Sequence, residues 1–229
     1  MTGRDIELVI VEDEEAAARA TAERLADAAR AGVEIALTGG STPRRAYELA
    51  AAREADWSRA GAWWGDERCV PPEDERSNYR LARESLLDRL TRLPTIHRIR
   101  GELEPTEAAD EYEGELGDTQ VDLILLGIGP DGHVASLFPE ALTLRERGRR
   151  VVAAEPGLEP FVERVTLTIP ALCSARSIVF LVTGADKAEA ARAAFVDEPS
   201  ERTPSSLVRA ADGPTLAILD RAAAASIKK

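Results

Sequence analysis

Asp122-Leu-Ile-Leu-Leu-Gly127-Ile-Gly129-Pro-Asp131-Gly132-His133 decides how this chain is read. Val121 to Leu126 is a continuous apolar run of strand length, as expected for a strand covered on both faces. The run breaks into glycines, which permit sharp turns, and then delivers a carboxylate and an imidazole two residues apart. An α/β sheet presents reactive groups in this way, at the carboxyl edge of its strands. His133 is one of two histidines in the chain, so proton transfer near neutral pH has few other candidates.

Outward from this stretch, apolar runs of strand length alternate with helical patterns. Ile6 to Val11, Val33 to Leu37, Ala62 to Trp64, Val151 to Ala154, Arg164 to Ile169, Ile178 to Thr183 and Thr215 to Leu219 read as strands. Glu14 to Ala31 (closed by Gly32), Thr42 to Ala52, Ser77 to Leu90, Thr106 to Leu116 and Asp186 to Phe195 read as helices. A last Ala-rich helix is expected after Leu219. The rhythm predicts an α/β fold: a mostly parallel, Rossmann-like sheet flanked by helices, in one domain spanning 1–229.

At 229 residues, with 44% hydrophobic and 31% charged residues, the composition is that of a globular chain large enough for a well-buried core. A formal charge of −12 argues against a nucleic-acid partner, which would need basic surface facing phosphates. A small anionic ligand responds to the local pocket rather than to this sum. No apolar run reaches a membrane span and the start, Met1 to Asp5, has no signal-peptide pattern. The cytoplasm, with no membrane partner, is therefore expected. Cys69 and Cys173 are far apart and read as reduced, buried thiols. With two histidines and no His-x-x-x-His, no metal is expected, and His97 reads as structural.

Three strand-to-helix junctions carry the chemistry. Gly39-Gly40-Ser41-Thr42-Pro43 opens a helix, where Ser41 or Thr42 fits a cap and Pro43 the first turn. Exposed N–H groups and hydroxyls at such a point seat a phosphate; the plain alternative is a capped helix that binds nothing. Gly184-Ala-Asp186-Lys187 repeats the geometry. Apart from Lys228 and Lys229 at the tail, Lys187 is the only lysine. An ammonium at a helix start opposes the dipole, and makes sense when the two share an anion.

The third junction holds Asp131 and His133. Gly127-x-Gly129-x-x-Gly132, with Glu155 downstream, matches a dinucleotide fingerprint. Asp131, however, would stand where a pyrophosphate must sit, and Val134 to Phe138 meets Pro139 after little more than one turn. No nucleotide cofactor is expected. Trp64-Gly-Asp66-Glu67-Arg68 is a further short strand ending in charges, whose plain alternative is a surface salt-bridge cluster. Arg164 begins a predicted strand.

Together with Ser77-Asn78-Tyr79, these motifs occur in an order that resembles the family of 6-phosphogluconolactonases and glucosamine-6-phosphate deaminases, from Ile6 to Leu219. The resemblance implies the fold of the glucosamine-6-phosphate deaminase/ribose-5-phosphate isomerase type, no cofactor, and a monomer or small homo-oligomer. It implies hydrolysis of a sugar-phosphate lactone, 6-phospho-D-glucono-1,5-lactone, in the second step of the oxidative pentose phosphate pathway. The deaminase pattern has a glutamate five residues beyond the histidine, where this chain has Phe138, which cannot shuttle a proton. The Asp-Glu-Arg form of residues 66–68 also resembles the lactonases. A deaminase-type isomerase, or a non-catalytic sugar-phosphate-binding protein, is the alternative.

On that resemblance His133 is the expected general base toward water, with Asp131 orienting its ring. Arg68 is expected to face the carbonyl oxyanion and Asp66 to serve a substrate hydroxyl or position Arg68, with exchange of these two roles as the alternative. Gly40, Ser41, Thr42, Arg164 and Lys187 hold the phosphate, Arg164 through a forked contact.

Overall fold

The computed structural model describes residues 6–227; Met1 to Asp5, Lys228 and Lys229 lie outside the described residues. In chain order the elements are β1 (Ile6–Val11), α1 (Glu14–Ala31), β2 (Glu34–Leu37), α2 (Pro43–Arg53), β3 (Gly61–Trp64), β4 (Asp66–Arg68), α3 (Asn78–Ser85) and β5 (Thr95–Ile96). There follow α4 (Pro105–Leu116), β6 (Leu123–Leu126), β7 (Val151–Ala154), β8 (Arg164–Leu167), α5 (Ile169–Cys173), β9 (Ser177–Val182), α6 (Ala188–Phe195) and β10 (Thr215–Asp220).

Seven strands form one sheet in the order β1-β10-β9-β6-β2-β3-β5, and every pairing in it is parallel. All four residues of β6 are buried, as a central strand covered on both faces requires. From β2 the chain moves outward through β3 to β5, then returns to lay β6 on the other side of β2. Strand order thus reverses between β2 and β6, and such a reversal opens a crevice at the carboxyl ends of the strands. The loops leaving β2, β6 and β9, three neighbours in the sheet, meet there.

The helices follow from local chemistry. Asp13 accepts from the N–H of Ala16 (2.8 Å) to cap α1, Glu14 and Glu15 occupy its first turn, and Gly32 closes it at φ +72°. Its buried stripe is largely alanine (Ala17, Ala18, Ala22, Ala26 and Ala29), which allows close approach to α2. Two buried tyrosines fix the strand ends. The Tyr47 hydroxyl donates to Thr38 O (2.7 Å) and accepts from Thr38 N–H (2.8 Å), while Tyr112 does the same for Trp64 (3.0 and 2.9 Å).

Several sequence expectations change. β4, β8 and β7 form a separate three-stranded antiparallel sheet beside the parallel one. The helix expected over Ser77 to Leu90 stops at Ser85, whose hydroxyl bonds back to Leu81 O (2.6 Å), and resumes only as a tight turn at Leu87–Arg89. The strand expected to Ile169 ends at Leu167, because Thr168 caps α5. Among the described residues no closing helix follows β10: Arg221 to Ser226 make turns. Cys69 and Cys173 are free thiols but half-buried. His97 is structural, stacked on Trp63 at 3.9 Å and bonded to Glu115 at 2.7 Å. Among the described residues no helix is long and apolar enough to cross a membrane.

Candidate active site

A cavity of about 440 Å³ opens at the carboxyl edge of the parallel sheet. His133, Lys187 and the segment Gly40-Ser41-Thr42 all line it, each from a different one of the three converging loops. Asp66 and Arg68 of β4 and Arg164 of β8 form the wall supplied by the small sheet, where Arg68 pairs in register with Arg164. Asp131 does not line the cavity and meets it only through His133. Among the described residues no three His, Cys, Asp or Glu side chains gather as a metal-holding group.

His133 Nδ1 lies 2.6 Å from Asp131 Oδ1, which also accepts the His133 backbone N–H at 3.1 Å. Burial pushes the Asp131 carboxyl upward, but the hydrogen bond and charge of His133 outweigh it and hold the group below its ordinary value. Asp131 is therefore ionised at neutral pH and can only accept, so Nδ1 carries the proton of this bond, and the neutral ring is the tautomer with its lone pair on Nε2. The loop is built around the pair. Gly132 turns it at φ +83°, Gly129 N–H donates to His133 O (2.9 Å), and a methyl at Gly129 would overlap both the ring and the carboxylate.

In the same cavity lining, α2 begins without a side-chain cap and without an acidic residue in its first turn. This corrects the expected capping. Thr42 already has helical φ and ψ (−59°, −43°), which turns its hydroxyl away from the role a cap plays. Its first N–H groups therefore gain no side-chain acceptor from Ser41 or Thr42. Gly40 turns the loop at φ +90°. Lys187 closes a one-turn 3-10 segment (Ala185–Lys187) ahead of α6, with Nζ 3.7 Å from Asp186 Oδ2. Asp220 at the end of β10 accepts Gly184 N–H (3.1 Å) and so ties this loop to the sheet.

The β4–β8 wall differs from expectation. Arg164 is buried and its fork is closed on backbone: Nε donates to Val162 O (3.0 Å) and Nη2 to Pro160 O (2.9 Å) and Leu158 O (3.2 Å). Only its Nη1 edge is left for an anion. Burial, with the charge of Arg68, lowers the Arg164 pKa from the usual guanidinium range. Asp66 is also buried, and its carboxylate accepts from Ser136 Oγ (2.6 Å) and Asn78 Nδ2 (3.2 Å) rather than from Arg68. It braces the wall from its place in the cavity lining. Arg68 donates Nη1 to Arg76 O (2.7 Å), while its buried Nε has no partner among the described residues.

Asn78, Ser136 and Asp220 complete the frame and had no role assigned from sequence. Asn78 lies in the quoted Ser77-Asn78-Tyr79 motif; Ser136 and Asp220 gave no local signal, since their partners are 70 and 36 residues away.

Comparison with known proteins agrees over nearly the whole chain. The family model described as glucosamine-6-phosphate isomerases/6-phosphogluconolactonase matches residues 12–217. A 6-phosphogluconolactonase of Streptomyces coelicolor is 36% identical, covering 97% of this chain and 95% of its own. The structure of 6-phosphogluconolactonase from Trypanosoma cruzi superposes with a TM-score of 0.89 at 25% identity, covering 100% of this chain and 99% of that one. A monomeric glucosamine-6-phosphate deaminase shares the fold, with a TM-score of 0.82 at 20% identity over 96% of this chain and 100% of its own.

Proposed function

The chain belongs to the family of glucosamine-6-phosphate isomerases and 6-phosphogluconolactonases, and within it we propose that this protein is a 6-phosphogluconolactonase of the cytoplasm. It hydrolyses 6-phospho-D-glucono-1,5-lactone to 6-phosphogluconate, the second step of the oxidative pentose phosphate pathway. One observation carries the reading: an Asp-oriented imidazole, an uncapped helix start and a lysine line a single cavity. That is what a phosphorylated ester needs, a proton acceptor at one end and an anion seat at the other.

The phosphate binds the N–H groups and hydroxyls of Gly40, Ser41 and Thr42 and the ammonium of Lys187, and the Nη1 edge of Arg164, which lines the same cavity, adds a further donor. Anchoring this remote group orients the lactone before any bond changes. His133 Nε2 takes a proton from water as its oxygen bonds to the lactone carbon, and the carbonyl electron pair becomes an oxyanion facing Arg68. Asp131 stabilises the imidazolium so formed. Collapse of the tetrahedral species breaks the bond to the ring oxygen, which takes the proton back from His133. The new carboxylic acid then ionises to solvent.

Phe138 separates this reading from the deaminase one. It is buried, its ring centre 4.9 Å from that of His133, and offers no group to move a proton for ring opening. The test is turnover of freshly generated lactone, corrected for spontaneous hydrolysis. His133→Ala should lower kcat by about 10²–10⁴-fold with little change in KM. Wild-type turnover by that variant would remove His133 as the base, and ammonia release from glucosamine 6-phosphate by the wild type would favour the deaminase.

A further inference from the structure

Glu67 stands between Asp66 and Arg68 on β4, and the chemistry above leaves it without a role. Side chains alternate along a strand, so while its neighbours face the cavity Glu67 points the other way. It is 3% exposed. A carboxylate so buried needs donors, and four converge on it. Oε1 accepts the N–H groups of Arg68 (2.7 Å) and Asn78 (2.6 Å); Oε2 accepts Tyr79 N–H (2.8 Å) and the Ser77 hydroxyl (3.0 Å).

Asn78 and Tyr79 open α3, for which Ser77 is the cap. One carboxylate thus clamps the strand carrying Asp66 and Arg68 to the start of the helix carrying Asn78. Asn78 extends the clamp: its Nδ2 donates to Asp66 O (2.8 Å), and its amide packs so closely on Gly39 that a methyl there would overlap it. Through these contacts Glu67 reaches the β4 wall and the glycine turn after β2 together.

We propose that Glu67 is a positioning residue of the reaction, holding Arg68 and Asn78 in the cavity wall without touching substrate. The proposal rests on the lactonase reading, since Arg68 matters to rate only if an oxyanion forms beside it. Glu67→Gln keeps the shape but sets an NH₂ group against backbone N–H donors whichever way the amide turns. Assayed at pH 8, above the value of about 7 to which burial raises the Glu67 carboxyl, the folded variant, checked by near-UV circular dichroism, should lose about 10–10²-fold in kcat while KM moves much less, as expected for a displaced catalytic group. Glu67→Asp, with the charge retained but one methylene withdrawn, should fall between. Glu84→Gln, on the same helix but paired with Arg80, should keep wild-type kinetics.

A second readout needs no turnover. The Asn78 side-chain amide and Arg68 Nε–H resonances should shift in Glu67→Gln and stay in place in Glu84→Gln. Wild-type kcat in folded Glu67→Gln, or unmoved resonances, would overturn the proposal. Should Glu67→Gln fail to fold, Glu67→Asp decides by the same two measurements. If the wild type itself shows no lactonase turnover, the functional reading falls, and the resonances alone decide whether Glu67 positions these groups.

Discussion

Gly129→Ala separates where the imidazole sits from what it does. Gly129 is outside the left-handed region, so alanine suits the backbone. The added methyl meets the His133 ring and the Asp131 carboxylate, and both must retreat by about 1 Å or more to reach an ordinary contact. The loop cannot simply slide, because Gly129 N–H is bonded to His133 O at 2.9 Å. A misplacement of about 1 Å at a reacting group lowers rate by about 10²-fold, or ~2.7 kcal/mol of transition-state stabilisation. Overpacking adds ~1–3 kcal/mol of lost stability, so the assay belongs well below the unfolding midpoint. KM should change little, since the phosphate seat lies on other loops. Lactone turnover with spontaneous hydrolysis subtracted reads the effect, with Gly114→Ala as the control, its methyl entering open space on α4. A folded Gly129→Ala enzyme with wild-type kcat would refute the reasoning, because the His133–Asp131 pair could not then be working where it is seen.

Gly114→Ala carries its own expectation: replacing a glycine within a helix should add ~0.5–1 kcal/mol of stability, a rise of roughly 1–4 °C in Tm by scanning calorimetry. Lys187→Ala should chiefly raise KM, by about 10–10²-fold, for the loss of ~1.5–3 kcal/mol of charged hydrogen bonding; an unchanged KM would take Lys187 out of the phosphate site. Glu67 should give stability a pH slope. Burial pushes its carboxyl up to about 7 against the pull of its four donors. A carboxyl raised above its unfolded value favours the folded state fully at low pH, and that contribution is lost as pH climbs from about 4.5 through about 7. Between pH 5 and 7.5 the wild-type Tm should therefore drop more than that of Glu67→Gln, and parallel curves would contradict the burial argument.

The parallel sheet was legible because its strands are buried on both faces, so composition alone marks runs such as Leu123–Leu126 and Ser177–Val182. The glycine junctions were legible because the turns that expose a strand end need residues free to take positive φ, as Gly40, Gly132 and Gly184 do. The small antiparallel sheet was not. Its pairing joins residues 66–68 to 164–166, a contact that no local pattern encodes, and its charged β4 reads locally as a surface cluster. Asp66 and Glu67 are instead buried, each satisfied by donors brought from elsewhere in the fold. The backbone bonds that occupy the Arg164 fork were hidden for a related reason. The carbonyls that occupy its fork belong to the loop just before it, and nothing in that loop's composition says that it curls back.

Phe138 shows why the choice between two chemistries on one scaffold is not a matter of a single side chain. Its ring lies against His133 and within 5.9 Å of the Arg164 guanidinium. Gly157 presses so closely on it that any larger residue there would overlap the ring. The loop containing Gly157 is the one whose carbonyls at Leu158, Pro160 and Val162 hold Arg164. A carboxylate at position 138 would enter this desolvated corner beside a guanidinium whose one uncommitted edge is Nη1, and would either occupy that edge, closing it to the proposed phosphate contact, or displace one of the three carbonyls. The aromatic ring, the glycine that accepts it and the arginine folded over it therefore constitute one unit. The absence of a carboxylate at position 138 beside His133 is built into the packing of that unit.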